Sequence, residues 1–113
     1  MAAFRRPVVI IDLEATGGNP YTDRITEIAF LRFDGNGVSS SRHLVNPQRN
    51  IPEFVSNLTG IDDEMVADAP SFADLSDDLL HRLRGTLLLA HNSKFDYTFL
   101  RHEFSRCRLS YAA

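Results

Sequence analysis

The run Pro7-Val8-Val9-Ile10-Ile11-Asp12-Leu13-Glu14 is apolar and β-branched for most of its length and ends in acids. Residues of this kind favour a pleated backbone, and an unbroken apolar stretch predicts a central strand buried on both faces. A strand of that type commits the chain to a fold built around a sheet. Asp12 and Glu14 are two apart on it, so both side chains leave the same face at the strand's carboxyl end.

The sequence on either side supplies neighbours. Gly17-Gly18-Asn19-Pro20 is a dense turn signal, after which Arg24 to Phe33 resumes a β-rich pattern that Asp34-Gly35-Asn36-Gly37 interrupts as a hairpin turn. Val38 to Val45 reads as a third, more polar strand, giving an antiparallel meander with a less buried edge. Beyond it the period changes. Pro52 stands where a first helical residue would and Gly60 where a helix stops, predicting a short helix from Pro52 to Thr59. Ser71 and Asp74 resemble a capping box, and Phe72, Leu75, Leu79 and Leu83 recur at helical spacing until Gly85. Thr86-Leu87-Leu88-Leu89-Ala90 is short and wholly apolar, which predicts a buried parallel strand. Phe95, Phe99, Leu100 and Phe104 then open an amphipathic helix that runs toward Tyr111-Ala112-Ala113 without a stop signal. The plan is α/β: a three-stranded antiparallel meander, a parallel strand and flanking helices, in one domain with no internal repeat or linker.

Composition excludes several classes. A chain of 113 residues, 43% hydrophobic and 24% charged, is that of an ordinary globular domain. No apolar run reaches the roughly 18 residues a membrane span needs, and Met1 to Ile11 lacks the features of a secretory signal, so a cytoplasmic protein is expected. Cys107 is the only cysteine, which rules out an internal disulfide and argues against a zinc-thiolate site. The net charge of −3 lacks the basic footprint of most nucleic-acid binders. Seven of the fifteen acids lie between Asp62 and Asp78, a stretch that reads as a solvated helix face. Divalent ions held between carboxylates and phosphate would still let an acidic protein bind a polyanion.

Asp12 and Glu14 at a strand end form a carboxylate cup of the kind that holds a pair of magnesium or manganese ions about 4 Å apart, which activate water and stabilise a leaving oxygen in phosphodiester cleavage. Ala15-Thr16-Gly17-Gly18 places a hydroxyl and glycine-freed backbone N–H groups beside them, suited to a sugar hydroxyl or phosphate. Asp96 follows the predicted parallel strand, where ligands bind in an open α/β sheet, and can close on the same ions.

Ile11-Asp12-Leu13-Glu14-Ala15-Thr16-Gly17 resembles the first motif, and His91-Asn92-Ser93-Lys94-Phe95-Asp96 the second, of the DEDD or DnaQ-like 3′→5′ exonucleases, the family that includes the proofreading epsilon subunit of bacterial DNA polymerase III. Thr26-Glu27-Ile28-Ala29 and Leu58-Thr59-Gly60-Ile61 also sit where that family has similar segments. The resemblance implies a ribonuclease H-like fold and release of nucleoside 5′-monophosphates from the 3′ ends of single-stranded DNA or RNA, with a DNA polymerase as a partner. It implies two magnesium or manganese ions, with Asp12, Glu14 and Asp96 as catalytic metal ligands and Asp12 touching both ions. It further implies that Thr16 and Gly17 meet the 3′-terminal nucleotide, that Leu58 wedges beside its base, and that Asn92 and Phe95 shape the pocket. Core packing is the competing reading of Leu58 and Phe95. Helix capping competes for Asn92, and a plain polar strand position for Glu27.

The family's third motif, which carries a general-base His or Tyr and a fourth carboxylate, is not found after Asp96. The expectation is a C-terminally truncated domain of low activity. His102 and Glu103 are poor substitutes, because His102, six positions after Asp96, falls almost on the opposite face of the helix. The nature of the substrate sugar and the oligomeric state are left open, and a non-enzymatic module that binds a polymerase or a nucleic-acid end is the reading that competes with an enzyme.

Overall fold

Alternate residues of β1 (Val8–Ala15) are buried: Val9, Ile11, Leu13 and Ala15 face the core, while Ile10 and Asp12 face outward. The computed structural model, which describes residues 6–90 and 93–112, thus covers this strand on one face, where the apolar run predicted two. The reason is the placement of the long helices. Both α3 (Phe72–Leu83) and α4 (Ser93–Arg106) contribute their apolar stripes to one core, with Val9, Ile11, Leu13, Ile28, Phe30, Leu79, Leu83, Phe99, Leu100 and Phe104.

The meander is as expected. β2 (Ile25–Asp34) runs antiparallel to β1, and β3 (Gly37–Leu44) antiparallel to β2. β4 (Leu87–Ala90) lies parallel to β1 on its other side, in the order β3-β2-β1-β4. Ile11 opposite Phe30 and Leu13 opposite Ile28 put matching side chains on the core face. Ile10 opposite Leu31 and Val8 opposite Phe33 put theirs on the open one. The predicted burial of β4 holds on one face only: Leu88 and Ala90 pack against the core, while Leu87 and Leu89, opposite Val8 and Ile10 on the open face, are 43% and 47% exposed.

Helix ends follow local chemistry. α1 (Glu53–Thr59) starts after Pro52 and stops at Gly60, whose φ of 80° is the left-handed conformation glycine adopts without strain. The capping box of α3 is present, with Ser71 Oγ accepting from the Asp74 amide and Asp74 Oδ2 from the Ser71 amide. The acidic stretch from Asp62 to Asp78 is not one helix face. A short helix, α2 (Asp63–Val66), precedes Pro70, and three of the acids hold backbone ends: Asp62 caps Met65, Asp63 accepts from Ile51 and Asp74 closes the box. These carboxylates compete better for free amides than for solvent, which is why the segment breaks.

α4 ends at Arg106, earlier than the missing stop signal suggested. Arg108 takes φ 60°, the Leu109 amide returns to the Phe104 carbonyl at 2.9 Å, and the chain folds back so that the Tyr111 ring packs 5.4 Å from that of Phe104. An arginine occupies the position that glycine usually signals. Phe72 meets Phe104 edge-on at 5.1 Å, and each such fully buried ring contributes about 1.5–3 kcal/mol. Among the described residues no helix is long and apolar enough to cross a membrane.

Candidate active site

The open side of β1 carries Asp12 and Glu14. The strand ends in an irregularity: Glu14 is opposite Glu27, but Ala15 is opposite Ile25, so one residue of β2 is passed over. The loop that follows is tied to itself. Thr16 Oγ1 donates to Asp23 Oδ1 at 2.9 Å and accepts from the Arg24 amide at 3.1 Å, while the Asn19 amide donates to Asp23 Oδ2 at 3.0 Å. Thr16 is buried, with its hydroxyl turned into the loop, and Gly17 and Gly18 form the exposed wall.

A cleft of about 360 Å³ opens against that wall, and Asp12, Glu14 and Asp96 all line it together with Gly17, Phe54, Leu58 and Phe95. Asp96 enters from the first turns of α4 and is 1% exposed. Glu14 senses the other two. Burial first, then the charges of Asp12, Glu27 and Asp96, hold the Glu14 carboxyl above its ordinary pKa of 4.5. Glu27 is itself paired with Arg42 on β3. A second hollow of about 430 Å³ on the open sheet face shares Asp12, but its other walls include Ile10, Ala29 and Leu31 and bring no further carboxylate.

Hard oxygen donors of this kind suit magnesium or manganese. No three His, Cys, Asp or Glu side chains among the described residues stand close enough to enclose an ion as placed. The donor set fits a divalent cation in its chemistry, with like charges held apart around a shared cleft.

The apolar rim is the part that residue patterns conveyed least. Leu58 is 83% exposed, which removes core packing as its role, and Phe54, one helical turn earlier, is 71% exposed beside the same cleft. Phe54 was not singled out from the sequence. Its signal is the i, i+4 pairing with Leu58 on a helix whose buried contact is Val55. Phe95 is half-buried and rests on Phe99, with centroids 4.6 Å apart, so it serves core and cleft at once. Asp23 was also missed, although it organises the loop. His91 and Asn92 lie outside the described residues. His102 stacks edge-on with Tyr21 at 4.5 Å, and Glu103 is fully buried in ion pairs with Arg24 and Arg106.

Residues 9–113 match the family model for exonucleases of the RNase T type. The chain belongs to this DnaQ-like exonuclease family. It is 39% identical over 98 residues to the DNA polymerase III epsilon subunit of Treponema pallidum, covering 86% of this chain and 46% of that protein. It is 34% identical over 110 residues to the PolC-type DNA polymerase III of Caldanaerobacter subterraneus subsp. tengcongensis, covering 96% of this chain and 8% of that protein. It is similar also to the 3′-5′ exonuclease DinG of Staphylococcus saprophyticus, 30% identical over 103 residues, 90% of this chain and 11% of that one. The chain therefore spans less than half the length of these relatives. Among solved structures, Escherichia coli exonuclease I in complex with a dT13 oligonucleotide superposes with a TM-score of 0.82 at 20% identity, over 94% of this chain and 25% of that one. This likeness establishes the ribonuclease H-like fold.

Proposed function

We propose that the cleft is the centre of a metal-dependent 3′→5′ exonuclease that releases nucleoside 5′-monophosphates from DNA 3′ ends. The observation that carries this reading is the convergence of Asp12 and Glu14 from β1 and Asp96 from α4 on one cleft with an exposed apolar rim, in a chain of this family. Asp12, Glu14 and Asp96 would hold two magnesium or manganese ions. When bound, such ions supply charge neutralisation for the phosphodiester and a water made acidic enough to attack at neutral pH.

The chain's own residues do the rest. The glycine wall at Gly17 and Gly18 admits the terminal nucleotide close to the backbone, and Thr16 holds that wall through Asp23. Phe54 and Leu58 flank the terminal base, and Phe95 lines the same cleft; Asn92 would shape the pocket as the family resemblance implies. The relatives named as a DNA polymerase III epsilon subunit and a PolC-type DNA polymerase III favour DNA, a polymerase partner and a cytoplasmic setting. RNA is the alternative substrate of the same site, which contacts to the sugar 2′ position would decide. A non-enzymatic module that binds nucleic-acid ends is the second reading, and the separation of the carboxylates, of which no three among the described residues stand close enough to enclose an ion as placed, is the observation that favours it.

The test is release of mononucleotides from 3′-labelled single-stranded DNA and RNA in manganese, comparing the chain with Asp12→Ala. Release that needs Asp12, and is faster on DNA than on RNA, is the expected result. Release that Asp12→Ala leaves unchanged, or no release together with tight end binding, would overturn the enzyme reading.

A further inference from the structure

Glu103 lies seven residues beyond Asp96 on α4, two helical turns along the same face, and both are buried, at 0% and 1% exposure. A carboxylate so enclosed is costly unless it is fully paired. Its partners all come from the loop that walls the cleft, or reach that loop. Arg24 Nε donates to both carboxylate oxygens, at 3.0 and 3.1 Å, and its Nη2 stands 2.9 Å from Oε1. The Ile25 amide, at the irregularity where β1 and β2 change register, donates to Oε2 at 2.9 Å. Arg106 Nη1 is 3.3 Å from Oε1, and its Nη2 donates to the carbonyls of Pro20 and Tyr21 at 3.0 and 3.1 Å.

We propose that Glu103 is a positioning residue for Asp96. It fixes the rotation and depth of α4 against the loop of residues 16–24, so that Asp96 meets Asp12 and Glu14 across the cleft. The core contacts of Phe99, Leu100 and Phe104 are apolar and carry no directional bond, whereas a bidentate guanidinium and a backbone amide fix the helix at a defined distance and angle to the loop. The inference rests on the reading of the cleft as a metal site. It assigns to Glu103 no contact with substrate or ion.

The test is manganese affinity, read by electron paramagnetic resonance on the intact chain, for the unmodified protein, Glu103→Gln, Asp96→Asn and the double variant, with thermal melting followed by circular dichroism. Glu103→Gln keeps the volume and one acceptor but loses the charge that holds both arginines. The expected result is about tenfold weaker manganese binding in Glu103→Gln, the scale at which outer-shell partners tune metal sites. The double variant should bind no more weakly than Asp96→Asn alone, because the two residues act through one arm. A folded Glu103→Gln with unchanged affinity, or a double variant whose loss is the product of the two single losses, would overturn the proposal. Unchanged affinity in Asp96→Asn would instead overturn the metal-site reading itself, and this inference with it. If Glu103→Gln does not fold, Arg106→Ala decides: about threefold weaker binding supports the role, and unchanged binding overturns it.

Discussion

Asp23 occupies the space that a side chain on Gly17 would need: a Cβ built there falls 2.5 Å from Asp23 Oδ2, a distance no packed pair tolerates. The glycine is required by this close approach and not by its own backbone angle. Gly17→Ala must push Asp23 off Thr16 and the Asn19 amide, at a cost on the order of 1–3 kcal/mol. Urea denaturation should show that loss in the parent and little of it when Asp23 is first replaced by Ala.

The exposed rim separates stability from binding. Phe54→Ala and Leu58→Ala should change unfolding free energy by no more than about 0.5 kcal/mol, since neither side chain is packed. Affinity for a single-stranded 3′ end, measured by fluorescence anisotropy in manganese, should fall about tenfold or more in Phe54→Ala, in line with the roughly 1–3 kcal/mol of base stacking on an aromatic ring. Unchanged affinity in both would remove the rim from the binding site.

Glu14 should make metal-free stability fall as pH rises. Its folded pKa is raised above 4.5, chiefly by burial and then by Asp12, Glu27 and Asp96, so the folded chain holds the proton more tightly than the unfolded one. Its favourable contribution is full below the unfolded value and is lost as pH climbs through the folded one. Glu14→Gln should therefore melt above the parent at neutral pH in a chelator, with the gap closing below pH 4.5. Manganese should raise the melting temperature of the parent and much less that of the variant.

Tyr111 offers a check on how the chain folds back after α4. Burial, and then Tyr97, pushes its phenol up to about 12, and its hydroxyl has no hydrogen-bond partner among the described residues. One of the three tyrosines should ionise last in an alkaline absorbance titration, and stability should fall as pH rises from 10.0 through about 12. Tyr111→Phe should remove that late step and stabilise by about 1 kcal/mol, since it deletes an unpaired polar group.

Strand pairing, the capping box and the carboxylate positions were legible because each is written in local residue types at fixed spacing. Val9, Ile11 and Leu13 alternate with Ile10 and Asp12, but all the aliphatic ones look alike in sequence, so burial on one face and on two could not be told apart. The end of α4 was hidden because Arg108, not a glycine, adopts the left-handed conformation. Asp12, Glu14 and Asp96 on the cleft were found by motif, whereas Asp23 acts within a turn by accepting from Thr16, and Glu103 acts through Arg24 and Ile25, far away in sequence, so that no spacing rule points to either. Phe54 was hidden for the opposite reason, as an apolar residue whose importance lies in staying exposed.

The claim on which the rest depends is that these carboxylates hold divalent ions. It is tested most directly by titrating manganese into the chain and into Asp12→Asn while free ion is followed by electron paramagnetic resonance. The account predicts saturable binding in the parent that weakens by at least about tenfold in Asp12→Asn, since a charged carboxylate of a small donor set is replaced by a neutral amide. Binding that is absent from the parent, or equal in the two proteins, would contradict it.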